Sequence, residues 1–233
     1  MLTPLPTPQR QNLPLFLFLG FIICAATLLL FGMLAKNIIG TTSLVQLDQN
    51  VATTLHAWAT EDATETFKFI SLLGLQVLWV VVVVVALYYA LTKHWAHLVI
   101  WLVAVAGAQV LNSVLKVIFN RPRPFFTDPL LTAANASFPS GHAMVSLVVY
   151  GILAFFILLQ VRNPAVRTGV ILFTIVLVLL IGASRIYLGV HYFSDVAAGY
   201  AAGVIWLTIC INAMNVLVAR RQWRAAKSPS NES

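Results

Sequence analysis

FISLLGLQVLWVVVVVVALYYALT, residues 69–92, runs without a single Asp, Glu, Lys or Arg. A helix needs roughly 20 mainly apolar residues to cross the hydrocarbon core of a bilayer, so this stretch predicts a membrane span. Charge-free runs of similar length lie on either side of it, at 11–35, 94–115, 129–161, 168–184 and 196–219, with one proline-bearing loop inside 129–161. Together they predict an all-α integral membrane bundle of six helices, centred near residues 25, 80, 106, 150, 177 and 206. The chain reads as one domain over 1–233, with flexible tails at 1–13 and 220–233.

Composition agrees. Of 233 residues, 60% are hydrophobic and 9% charged, and the mean hydropathy is +0.91, far more apolar than a soluble domain. The first run, Leu15 to Ala35, is longer than the apolar core of a signal peptide and is preceded only by Arg10, so it reads as a retained anchor. The net charge of +7 raises the question of a nucleic-acid partner. Its distribution argues against one, because Arg220, Arg221, Arg224 and Lys227 form a tail after the last helix, where retention of basic residues on the cytoplasmic side explains them.

The same rule orients the chain. One set of alternate helix ends carries Arg10, Lys93, Arg162, Arg167 and the four tail residues, and the other carries Lys36, Lys68, Lys116, Arg121, Arg123 and Arg185. Eight against six predicts both termini in the cytoplasm.

Several features read as structural. Cys24 and Cys210 fall inside helices, where a thiol acts as a small apolar group. His94 and His97 lack a third metal ligand nearby in sequence and read as interfacial. Gly199 and Gly203 predict close packing against another helix of the same chain rather than dimerisation, and Asn135-Ala136-Ser137 matches a glycosylation sequon without further support. Between the first two spans, Leu44, Leu47, Val51, Leu55 and Trp58 recur at helical spacing and predict an interfacial helix, read as a cover over apolar surface rather than a lid. Asp62 and Glu65 form an expected capping box at the start of the second span.

Ionisable groups remain where a membrane should exclude them. Lys116, Arg121, Arg123, His142, Arg185, His191 and Asp195 all fall at the ends of spans three to six that face one leaflet. Such groups are functional suspects because unpaired charge near membrane depth costs several kcal/mol. Their excess is positive, which asks for an anion, and Arg and Lys donors suit the oxygens of phosphate. In PSGH, Pro139–His142, Ser140 can cap the fourth span, Gly141 allows close backbone approach, and His142 sits on the first turn, where free N–H groups favour an anion. In SRIYLGVHYFSD, Ser184–Asp195, Gly189 can end the fifth span, and Asp195 lies four residues after His191, able to reach its imidazole if the sixth helix begins there.

KVIFNRPRP (116–124), PSGH (139–142) and SRIYLGVHYFSD (184–195) resemble, in order and spacing, the three signature motifs of the type 2 phosphatidic acid phosphatase superfamily. The resemblance implies a metal-independent membrane lipid phosphatase that uses no cofactor. It implies that His191 is the nucleophile forming a phosphohistidine, that Asp195 orients it, and that His142 protonates the leaving oxygen. It further implies that Lys116, Arg123 and Arg185 bind the phosphoryl oxygens, aided by Ser140 and Gly141. Arg121 lies outside the motif and reads as an interfacial residue. The expected partners are the bilayer and a lipid phosphate such as phosphatidate, phosphatidylglycerophosphate or a polyprenyl pyrophosphate, met at the outer face of the cytoplasmic membrane. Two rival readings are a phosphotransferase using another lipid as acceptor and a transporter that binds phosphate without turnover.

Overall fold

The structure is a computed structural model and describes residues 13–38 and 42–227, so of the expected tails 1–12 and 228–233 lie outside the described residues. It contains eight helices among those residues: α1 (Leu13–Asn37), α2 (Ser43–Ala57), α3 (Glu61–Leu73), α4 (Gln76–Leu91), α5 (Trp95–Phe119), α6 (Gly141–Gln160), α7 (Pro164–Tyr187) and α8 (Phe193–Lys227). Six stretches are long and apolar enough to cross a membrane, α3 and α4 together making one of them. Their centres match the six expected from the charge-free runs. α8 continues to Lys227, past residue 220, where the sequence reading starts the tail, and α1 already begins at Leu13.

α6 is the central helix. Just over half of its apolar window is buried, 56%, against 28% or less for every other span, and it packs on α5, α7 and α8. Trp101, Met144, Val148, Val149, Ile152 and Ile181 fill the interior around it. Outward residues such as Phe18 and Phe21 on α1 and Phe173 on α7 are exposed and apolar, as a surface solvated by lipid requires.

Lipid offers no hydrophobic drive between helices, so close approach and interhelical hydrogen bonds hold the bundle. The Trp101 indole donates to Val82 O at 3.1 Å, the Trp206 indole to Ala104 O at 2.9 Å, and the Tyr200 hydroxyl to Val178 O at 2.7 Å. Gly199 and Gly203 bring α8 onto α6: a Cβ on Gly199 would lie 2.6 Å from Ser140 O, and one on Gly203 would lie 3.1 Å from Met144 O. The expected intrachain packing of this pair is what the structure has.

Two local expectations are corrected. The second span opens at Thr60, whose hydroxyl accepts from Ala63 N at 3.3 Å, and not at an Asp62–Glu65 box. The same span is broken at Gly74–Leu75, where a Cβ on Gly74 would meet Ile181 at 2.5 Å and the His142 ring at 3.0 Å. In α2, Leu44, Val51 and Leu55 of the apolar stripe are half-buried and share the inward face with a charged residue, Asp48. Leu47 is 47% exposed and Trp58 is 74% exposed, whereas Asp48 and Ala52 are buried.

Candidate active site

The ends of α4, α5, α6 and α7, the loop 120–140 and His191 just before α8 line a cavity of about 220 Å³. Lys116, Arg123, Gly141, His142, Arg185 and His191 line it, as do Gly74, Leu75 and Trp79 at the break in the second span. Three cations and two imidazoles thus share one cavity whose lining includes no carboxylate among the described residues.

Each cation is held by the surrounding backbone or by a hydroxyl. Lys116, in the last turn of α5, donates to Ala136 O. Arg123 donates to Val190 O at 2.5 Å, Asn135 O at 3.0 Å and Ala134 O at 3.1 Å, and its NH1 lies 3.2 Å from His191 Nε2. Burial holds the Arg123 guanidinium below the usual arginine range despite Asp195. Arg185, in the last turn of α7, donates to Ser71 Oγ on α3, while its Nε is buried without a partner.

The segment before α6 supplies a further free donor. Ser140 is the N-cap residue, yet its side chain makes no cap bond, and its buried Oγ has no partner. Its N–H is taken by Asp195 O at 2.9 Å, which ties the start of α6 to the first turn of α8. A Cβ on Gly141 would lie 2.9 Å from Asn112 Oδ1, so any side chain there would displace the Asn112 amide. Asn112 in turn reaches Pro139 O at 3.4 Å. His142 follows on the first turn, facing the cavity beside Gly74.

α7 ends at Leu188, and Gly189 takes the left-handed backbone, φ +70, that turns the chain toward α8. This places His191 in the cavity wall and Asp195 on the first turn of α8, with Nδ1 and Oδ2 3.5 Å apart. Ser137 Oγ bridges the same two groups: it donates to Asp195 Oδ2 and lies 3.4 Å from His191 Nδ1. With Nδ1 turned to the carboxylate, Nε2 carries the lone pair that faces Arg123 and the cavity. Burial pushes the His191 imidazole down to about 4, against the upward pull of Asp195, so the ring is neutral at pH 7.

The structure therefore brings together every residue singled out from the three motifs. It also adds several that the sequence reading missed. Arg121 is 7% exposed, which corrects its assignment as interfacial. It donates to Asp195 Oδ1 at 2.6 Å and to Asp48 Oδ2 at 2.8 Å, and its guanidinium lies 4.3 Å over the Tyr192 ring. Burial alone disfavours that charge, but the two carboxylates outweigh it and hold the group above the ordinary arginine range. Asp48, Ser137 and Asn112 had no local sequence signal, since their partners lie 27 to 146 positions away.

A multi-pass membrane protein with a cation-lined cavity at one end of its bundle is the class that fold and site define. Residues 97–218, just over half of the chain, match the PAP2 superfamily, and the chain belongs to that superfamily. Phosphatidylglycerophosphatase B of Bacillus subtilis (strain 168) is 36% identical over 114 residues, covering 48% of this chain and 55% of that protein. Undecaprenyl-diphosphatase BcrC of the same organism is 34% identical over 100 residues, covering 41% and 47% respectively. The matched stretches thus span about half the length of these relatives. The crystal structure of a transmembrane PAP2 type phosphatidylglycerolphosphate phosphatase from Bacillus subtilis superposes with a TM-score of 0.72 at 27% identity, covering 90% of this chain and 98% of that one.

Proposed function

We propose that the protein is a lipid phosphate phosphatase that works through a phosphohistidine on His191, without a metal ion. The observation that carries this reading is the cavity itself. Lys116, Arg123 and Arg185, with the unpartnered donors Ser140 Oγ and Arg185 Nε, surround one accessible imidazole nitrogen backed by a carboxylate. Phosphoryl transfer is accelerated chiefly by positioning and by preorganised positive charge around the equatorial oxygens, and here side chains supply that charge.

In the first step the Nε2 lone pair of His191 attacks phosphorus. A P–N bond forms as the P–O bond to the lipid breaks, and His142 gives its proton to the departing oxygen. Asp195 stabilises the charge that develops on the ring through Nδ1–H. In the second step a water attacks phosphorus and yields its proton to His142, the P–N bond breaks, and orthophosphate leaves. Leu75, Leu78 and Trp79 form an apolar wall to the same cavity, which suits a phosphate carried on an apolar chain. Phosphatidylglycerophosphatase and undecaprenyl-diphosphatase among the relatives support the same class, as a monophosphate or a pyrophosphate.

The proposed location is the cytoplasmic membrane, with both termini inside and the cavity at the outer face. Six crossings return both ends to one side. The charge margin widens once the structure is considered, because Lys116, Arg123 and Arg185 line the cavity and Arg121 is buried with carboxylates. Only Lys36 and Lys68 then remain as ordinary flank charges on the cavity side.

The test is release of orthophosphate by the purified full chain from a panel of lipid mono- and pyrophosphates, in excess chelator, with and without an acceptor lipid. Sustained release in chelator is expected. Turnover that stops in chelator and returns with magnesium overturns the metal-free mechanism. Binding without release points to a transporter, and phosphate passed to the acceptor lipid points to a transferase.

A further inference from the structure

Asp48 is the least expected residue near the site. It is fully buried, sits on α2 between the first two spans, and lies outside residues 97–218 that match the superfamily. It does not line the cavity. Instead its Oδ2 accepts from Arg121 NH2 at 2.8 Å and from Ser194 Oγ, and its Oδ1 accepts from Ser194 N at 2.9 Å. Arg121 NH1 reaches in the other direction, to Ser194 Oγ at 2.8 Å and to Asp195 Oδ1 at 2.6 Å. One guanidinium is therefore shared by two buried carboxylates, and the second of these backs His191.

We propose that Asp48 is a positioning residue of the phosphoryl-transfer site, acting through Arg121 on Asp195 and thereby on His191. This deepens the phosphatase reading and rests on it. Removing a partner from a buried ion pair leaves its charge to redistribute onto what remains. Without Asp48, the whole positive charge of Arg121 falls on Asp195, whose carboxylate then holds the His191 Nδ1–H more weakly. Asp48 also fixes where Arg121 lies, and Arg121 fixes Oδ1 of Asp195, so the orientation of the nucleophile is set partly from α2. A second tie keeps α2 in place: His56 Nε2 meets Asp128 Oδ1 at 3.0 Å, and the His56 ring stacks on Phe126 of the loop 120–140 at 4.1 Å.

The charged and titratable groups around His191 are Asp195 on α8, Arg185 on α7, His142 on α6, Lys116 on α5 and Arg123 in the loop. Those around Arg121 are Asp48, Asp195 and Tyr192. Asp48→Asn leaves the cavity lining untouched; it removes the charge that shares Arg121 and alters the bonds accepted from Ser194.

The experiment measures kcat, KM and the pH profile of wild type and Asp48→Asn on an aryl phosphate and on a lipid phosphate, in detergent. Wild-type turnover is the control on the phosphatase reading, so its absence counts against that reading and not this one. Asp48→Asn is expected to lower kcat about 10- to 100-fold with KM unchanged and to move the acid limb of kcat/KM to lower pH. In an Asp195→Asn background the same substitution is expected to add less than about a threefold loss, because both changes act on one coupled unit. Wild-type kcat, a raised KM with kcat kept, or the full loss repeated in the Asp195→Asn background overturns the proposal. If Asp48→Asn does not fold, Ser194→Ala removes the hydroxyl that bridges Asp48 and Arg121 beside their direct ion pair, while keeping every charge. It is expected to lower kcat severalfold at constant KM, and unchanged kcat there overturns the proposal equally.

Discussion

At the scale of single residues, the two cavity histidines differ in what backs them. His191 is buttressed by Asp195 and Ser137, whereas His142 stands on the first turn of α6 beside Gly74 with no carboxylate behind it. A nucleophile and a proton donor should respond differently to the leaving group. His191→Ala is expected to abolish turnover of every substrate. His142→Ala is expected to cost far more on a lipid phosphate, whose alkoxide needs a proton, than on a nitrophenyl phosphate, whose leaving group departs without one; the ratio of the two losses is the measurement. Equal losses on both substrates would falsify the acid role. The pH profile checks the nucleophile separately. A protonated ring has no lone pair, and burial holds His191 down to about 4, so activity is present above that value and lost as pH falls through it, well below the ordinary imidazole value of about 6.5. Asp195 pulls the ring upward, and Asp195→Asn should therefore move the acid limb lower still while reducing kcat about 10²- to 10⁴-fold. Lys116, Arg123, His142, Arg185, His191 and Asp195 were all legible because each is an ionisable group in an apolar setting. Arg121 stood in the same set and was set aside because it lies outside the motif, and Asp48 looked like an ordinary flank charge until the fold paired the two across 73 positions.

At the scale of elements, the packing of α8 on α6 sets the site. Gly199 lies against Ser140 O, the carbonyl that begins α6, so there is no room for a methyl group. Gly199→Ala is expected to lower stability by about 1–3 kcal/mol through overpacking and to reduce turnover by displacing Ser140 and Gly141. Gly169→Ala on α7, where nothing lies within 4 Å, is the control expected to leave turnover unchanged and stability equal or slightly raised; thermal unfolding in detergent and initial rates read both. Sequence reasoning found the spans because length and apolarity decide them, and it found the Gly199–Gly203 contact because small residues at that spacing have few other uses. It missed the break at Gly74, where one glycine in an apolar run carries no visible sign of the Ile181 and His142 side chains that need its space. It also gave no sign that the inward face of α2, with half-buried Leu44, Val51 and Leu55, carries a buried ion pair at Asp48.

For the whole molecule, the proposed orientation makes a direct prediction. A cysteine replacing exposed Thr127, in the loop beside the cavity, should react with an impermeant reagent added outside intact cells, whereas one replacing exposed Gln160, at the far end of α6, should react only after the membrane is opened. The reverse pattern overturns the orientation and leaves the chemistry standing. The six-span plan was readable from hydropathy alone, while the side of the membrane rests on a margin of eight to six, and four of the six have another role in the structure: Lys116, Arg123 and Arg185 line the cavity and Arg121 is paired with carboxylates.

The tethers on the cavity cations carry one more consequence. Lys116 and Arg123 are held by the carbonyls of residues 134–136 and 190, so under the proposed mechanism these cations keep their places when the lipid departs. A cage that fits the transferring group also fits the free anion it leaves behind. Progress curves should therefore bend well before the lipid is exhausted, straighten when the accumulating anion is scavenged, and show an inhibition that fresh lipid competes away.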